Sequence, residues 1–141
     1  MSTTTINKSI FVAADINTVW LYLTDKTLLA KWFHPAAEDL VEGKPYALLG
    51  DADDSSSKVC WGDVLTAKQP TLLVYTFTVK PLGGAMTTVT WTLEEAAGGT
   101  RLTLKHEGLE EASGEAALGL LMALDKGWDE HFSKMRSLAS V

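Results

Sequence analysis

Cysteine is all but missing from this chain: Cys60 stands alone among 141 residues, so no intrachain disulfide can form and a reducing compartment is expected. Long apolar runs are missing too. No stretch approaches the roughly 20 residues needed to cross a bilayer. The opening Met1-Ser2-Thr3-Thr4-Thr5 lacks the basic, then apolar order of a secretory leader. Basic charge is scarce, with 12 Lys and Arg against 18 Asp and Glu for a net charge of −6. Nucleic acid and anionic membranes reward clustered Lys and Arg, so neither is expected as a partner. A cytoplasmic protein is the expectation.

The usual signs of metal and cofactor chemistry are also lacking. The three histidines, His34, His106 and His131, include no pair at short metal-ligand spacing, and only one thiolate is present. Asp51, Asp53 and Asp54 suggest a calcium loop, but an EF-hand counted from Asp51 needs Gly at its sixth position and Glu at its twelfth. Ser56 and Gly62 stand there instead. Gly83-Gly84 and Gly98-Gly99 fall between strands and do not open helices, so they are not phosphate cradles. No nucleophile-elbow sequence occurs. No metal and no cofactor are expected. The acids cluster at Asp51–Asp54 and again at Glu107, Glu110, Glu111 and Glu115. They read as solvated surface, with an acidic docking face for a basic partner as the alternative.

What is present is a clear order of elements. Ile6 to Ala13 reads as a strand, although Lys8 and Ser9 spoil its alternation. Asp15 is a helix cap, followed by Ile16, Val19, Trp20 and Leu23 at helical spacing. A second short helix over Leu28 to Phe33 stops before Pro35. Strands are expected over Pro45 to Gly50, Lys58 to Lys68, Leu72 to Val79, Met86 to Glu94 and Thr100 to Glu107, with turn residues between them. Leu73, Tyr75 and Phe77 share one face of their strand. Val89, Trp91 and Leu93 share a face opposite Thr88, Thr90 and Thr92, and Leu102, Leu104 and His106 repeat the pattern. One apolar and one polar face mark an antiparallel sheet covered on a single side. A helix from Ser113 to near Ser140 supplies the cover, with Leu121, Leu124, Trp128, Phe132, Met135 and Leu138 in one stripe. At 1.5 Å per residue it would run roughly 40 Å.

This order resembles the START-like (SRPBCC) superfamily with its pollen-allergen-like members, and within it the activator of heat-shock-chaperone ATPase (AHSA) family. The markers are Val19-Trp20, Leu23-Thr24-Asp25, Trp32-Phe33, Gly62-x-Val64 before Pro70, Leu73 to Phe77, Gly99 to Leu104 running into His106, and Gly127-Trp128. Gly43-Lys44-Pro45 departs from the paired glycine that the family often has there. The resemblance implies an α+β helix-grip fold in one domain over residues 1–141: a curved antiparallel sheet wrapped around a long C-terminal helix, with an apolar cavity between them. It implies no fixed catalytic set, because carriers, cyclases and chaperone regulators share the fold.

Leu73, Tyr75, Phe77, Trp91, Leu104, His106, Leu124 and Trp128 are the candidate cavity residues. Large aromatic rings build cores, and they also line pockets where an indole N–H orients a ligand. His106 continues the apolar row of its strand, where it either completes a structural hydrogen bond or serves a ligand. The face of its strand that Trp61 occupies is left open by the pattern. Gly127, in mid-helix beside Trp128, is expected to admit the sheet backbone closely or to enlarge the cavity. The leading functional expectation is binding of a small apolar or aromatic molecule by a monomer or homodimer. The alternatives are a module that docks on a heat-shock chaperone and a cyclase- or aromatase-type enzyme.

Overall fold

Period-two alternation has a direct outcome: every strand turns its apolar row to the same side of one sheet. The computed structural model describes residues 5–50, 58–79, 86–108, 126–135 and 137. Six strands, β1 (Ile6–Val12), β2 (Pro45–Leu49), β3 (Lys58–Lys68), β4 (Leu72–Val79), β5 (Thr87–Ala96) and β6 (Gly99–Glu107), pair antiparallel in the order β1-β6-β5-β4-β3-β2. Helices α1 (Ile16–Thr24) and α2 (Lys26–Trp32) lie between β1 and β2. Residues 126–135 form a helix, α3. The result is the α+β helix-grip fold.

Local chemistry sets the helix ends. The Asp15 carboxylate accepts from the Asn17 N–H at 3.0 Å and starts α1. Asp25 does two jobs. Its N–H closes α1 on the Leu21 carbonyl at 2.9 Å, and its carboxylate accepts from the Thr27 and Leu28 N–H groups at 2.8 and 3.1 Å. That cap starts α2 at Lys26, two residues earlier than the apolar pattern alone suggests.

The inner rows align across the sheet. Leu73, Trp91 and Leu104 are register partners in turn, as are Tyr75, Val89 and His106. Lys8 stands opposite Leu104 on the row of Ile6 and Val12, which explains the broken alternation of β1. Its ammonium meets Asp129 of α3 at 2.7 Å, so this charge on an edge strand ties sheet to helix. Strand β2, at the other edge, is covered by the segment before it: the Leu49 N–H donates to the Pro35 carbonyl at 2.7 Å and the Ala37 N–H to that of Ala47 at 2.9 Å.

In β3, Cys60, Gly62 and Val64 are buried, whereas Trp61 is half-buried and Asp63 and Leu65 are exposed. Trp61 therefore belongs to the outer row. Gly62 is obligatory for packing, because a side-chain carbon there would overlap the Thr76 carbonyl. Register shifts at Leu48/Leu49 and Val64/Thr66 bend this half of the sheet. Gly127 behaves otherwise: a β-carbon there would meet nothing within 4 Å, so no sheet backbone approaches it closely. The expected stripe of the last helix holds for Trp128, Phe132 and Met135, all buried. Its other members, the Ser113 cap and the acidic positions Asp51, Asp53, Asp54, Glu110, Glu111 and Glu115 lie outside the described residues.

Candidate functional site: the interior of the grip and its rim

Seven of the eight candidate residues face one interior. Leu73, Leu104 and His106 are fully buried, and Tyr75, Phe77, Trp91 and Trp128 are each at most 3% exposed. Leu124 lies outside the described residues. Strands β4, β5 and β6 deliver six of the seven through the inward half of their alternation, and α3 delivers Trp128.

The rings meet edge to face. Trp128 lies 5.5 Å from Trp91 at 83° and 6.2 Å from His106 at 78°, and Phe77 lies 5.0 Å from His106 at 82°. Phe132 adds a contact to Trp91 at 5.7 Å. Such pairs set a positive ring edge against a negative face, which stabilises each beyond its area burial. Trp32 is buried as well; its indole N–H donates to the Tyr22 carbonyl at 2.7 Å and its ring lies 6.2 Å from Trp91.

Two polar chains run through this apolar interior. In the first, the Trp128 Nε1–H donates to His106 Nδ1 at 3.3 Å, so Nδ1 must hold a lone pair. His106 Nε2 then carries the proton and donates to Thr87 Oγ1 at 2.7 Å, whose hydroxyl donates to the Phe77 carbonyl at 2.7 Å. Each link is satisfied by one neutral tautomer alone. Burial pushes the His106 pKa down to about 4, in keeping with that tautomer. Both of its nitrogens are occupied.

The second chain is shorter. The Trp91 Nε1–H donates to the Tyr75 hydroxyl at 3.0 Å. Among the described residues the Tyr75 proton meets no acceptor. Burial holds the phenol well above its ordinary pKa, so it keeps that proton at any ordinary pH. The Tyr46 ring packs 4.9 Å away, with its own hydroxyl donating to the Thr76 carbonyl at 2.6 Å. Asp63 is exposed on the outer row, away from Tyr75. Cys60 is buried and its thiol is pushed up to about 12, which leaves it inert.

At the rim of the interior stands a group that sequence spacing did not reveal. His34, just past α2, and His131, on α3, bring their rings to 5.4 Å. Phe33 sits between them and the interior, 4.9 Å from His34, 4.7 Å from His131 and 5.1 Å from Trp128. All three are half-buried. The usable signal was aromatic company: Trp32-Phe33-His34 at one end of the chain, and His131 one turn after Trp128 and beside Phe132 at the other.

A cleft of about 310 Å³ lies beside α1 and the segment that follows α2, lined by Leu21, Val41 and the acidic residues Asp25, Asp39 and Glu42. Those carboxylates hold backbone: Asp39 accepts from the Lys26 N–H and Glu42 from the Ala67 N–H, each at 2.8 Å. Among the described residues no three His, Cys, Asp or Glu side chains converge as a metal site, and no helix is long and apolar enough to cross a membrane.

Comparison with known proteins places this arrangement. A family model, Activator of Hsp90 ATPase homolog 1-like protein, matches residues 13–140. CalU16 from Micromonospora echinospora has a similar structure, with a TM-score of 0.73 and 25% identity over 93% of this chain and 73% of its own. DynU16, a protein in the dynemicin biosynthetic locus, gives a TM-score of 0.76 and 21% identity over 96% of this chain; the match spans 47% of DynU16. The Aha1 dimer from Colwellia psychrerythraea gives 0.76 at 14% identity, over 97% of this chain and 96% of its own. No curated protein matches the sequence.

Proposed function

From the premise that the chain belongs to the Activator of Hsp90 ATPase homolog 1-like family, we propose that it is a single cytoplasmic domain over residues 1–141 that binds a small apolar or aromatic molecule inside the grip. The observation that carries this reading is Tyr75. A fully buried hydroxyl accepts from Trp91 and keeps a proton that no described residue takes. Buried polar groups are as a rule satisfied, so a spare donor amid Trp, Phe and Leu side chains suits the polar end of a ligand. Burial of the ligand's apolar surface supplies most of the affinity, at about 25 cal/mol per Å². Leu73, Phe77, Trp91, Leu104 and Trp128 serve as wall in this reading, and His106 as a fixed part of it. The test is a native mass spectrum of gently purified protein followed by titration with an apolar fluorescent probe while tryptophan emission is recorded. A retained small molecule, or stoichiometric probe binding that quenches tryptophan, is expected. Tyr75→Phe should leave probe affinity intact and weaken a ligand that carries an acceptor. An empty protein that ignores the probe overturns the reading.

A second reading, docking on a heat-shock chaperone by a monomer or homodimer, is favoured by the acidic cleft. Leu21 and Val41 are 45% and 48% exposed beside three carboxylates, a combination that suits a basic segment with apolar anchors. The chaperone's ATPase rate with saturating protein decides it; an unchanged rate removes this reading.

A further inference from the structure

Resting on the ligand-binding reading and deepening it, we propose that the rim formed by Phe33, His34 and His131 recognises the hydroxyl of a phenolic ligand, with His131 Nε2 accepting its hydrogen bond. The argument begins with a tautomer. His131 Nδ1 lies 3.1 Å from the Trp32 carbonyl oxygen, which can only accept. Nδ1 therefore carries the proton, and the neutral ring holds its lone pair on Nε2. Among the described residues that lone pair has no partner, and neither nitrogen of His34 has one.

The rings stay neutral near pH 7. Burial lowers the pKa of His131 and outweighs the hydrogen bond to the Trp32 carbonyl, which raises it; Lys134 then lowers it and Glu130 raises it by less. His34 is lowered by burial, by His131 and by Lys134. His131 Nε2 thus offers an acceptor, and a ligand atom that meets it must bring a proton.

The company of the lone pair narrows the class. Phe33 stacks on Trp32 at 5.1 Å and 22° and touches Trp128, so an aromatic ring arriving at the rim meets ring faces and edges that continue into the interior. An aliphatic alcohol would leave those rings unused. A carboxylate at His131 Nε2 would set lone pair against lone pair. A metal ion would find two nitrogens, a nearby ammonium and, among the described residues, no third ligand. A phenol fits both features: its ring takes the aromatic surface, and its hydroxyl, with a pKa near 10 as in tyrosine, stays protonated and donates.

Three probes of one ring system test this on the full chain, by titration at pH 7.5: naphthalene, 2-naphthol and 2-naphthoate. Naphthol should bind roughly fivefold tighter than naphthalene, the size of one net hydrogen bond. That advantage should shrink as the pH is lowered and the rim histidines protonate. His131→Phe should abolish the advantage while leaving naphthalene affinity in place. Equal affinities for naphthalene and naphthol overturn the rim proposal and leave the apolar reading standing. Retention of the advantage in His131→Phe overturns it as well. Naphthoate binding tighter than naphthol, and tighter still at low pH, would instead make the rim an anion site. Binding of none of the three removes both readings. Should His131→Phe fail to fold, the pH series on the unaltered protein decides alone.

Discussion

Two histidines approach Trp128 from different sides, and they are opposite in character. His106 is wholly buried and spends both nitrogens, one on Trp128 and one on Thr87. His131 is half-buried, spends Nδ1 on the Trp32 carbonyl and, among the described residues, leaves Nε2 open. The lesson is that burial of a titratable group is weak evidence of function. A group whose every hydrogen bond is met inside the protein has nothing left to offer a ligand, whereas one half met and half exposed has. His106 is accordingly a strut, and the open group is the one to test.

Substitutions sharpen the contrast. His106→Leu should cost about 3 kcal/mol in urea unfolding, because it strands the Trp128 N–H in an apolar interior. Comparable stability in that variant would break the comparison outright. Acid should act through the same residue. The unfolded chain takes up the His106 proton below its ordinary pKa of 6.5, and the folded protein only near 4. This contribution is complete above pH 6.5 and is lost as the pH falls from 6.5 to 4, amounting to about 3 kcal/mol. Subtracting the pH profile of His106→Leu from that of the unaltered protein isolates it; a flat difference would mean that His106 titrates normally.

Smaller effects follow along the chain of bonds. Thr87→Val removes the acceptor of His106 Nε2–H and should cost about 1–2 kcal/mol by chemical denaturation. His131→Phe should cost about 1 kcal/mol, since a ring of similar size keeps the packing and only the bond to the Trp32 carbonyl is lost. A loss as large as that of His106→Leu would erase the distinction between strut and site. Gly127→Ala should raise the melting temperature, with a gain of up to about 1 kcal/mol, because helix propensity improves and the new methyl meets open space. A loss there would place a close neighbour beside Gly127 after all.

Much of the frame was legible in the linear chain. Alternation at Leu73–Phe77, Val89–Leu93 and Leu102–His106 placed three strands and their inward rows, and Asp15 announced α1. The start of α2 was not legible from apolar spacing, since one Asp25 side chain both ends α1 and caps the next helix. Lys8 looked like noise in β1 until Asp129 of α3 came within reach. Trp61 had equal claims to either face, because Cys60, Gly62 and Val64 are no more clearly apolar as a row than Val59, Trp61 and Asp63. Gly127 suggested either a close backbone contact or a larger cavity, and among the described residues nothing comes within 4 Å of a β-carbon placed there.

The sequence by itself determined the strand pattern and the inward rows of β4, β5 and β6, because periodicity and short caps depend on neighbours a few residues apart; the family followed from the resemblance of its ordered motifs. The tertiary structure alone decided the partners of those inward groups. That His106 is sealed by Trp128 and Thr87, that Tyr75 keeps a proton no described residue takes, and that His34 meets His131 across Phe33 all depend on contacts between distant segments. Hydrogen bonds require atoms within about 3.5 Å and a suitable angle, and no spacing along the chain encodes that until the sheet has closed on the helix.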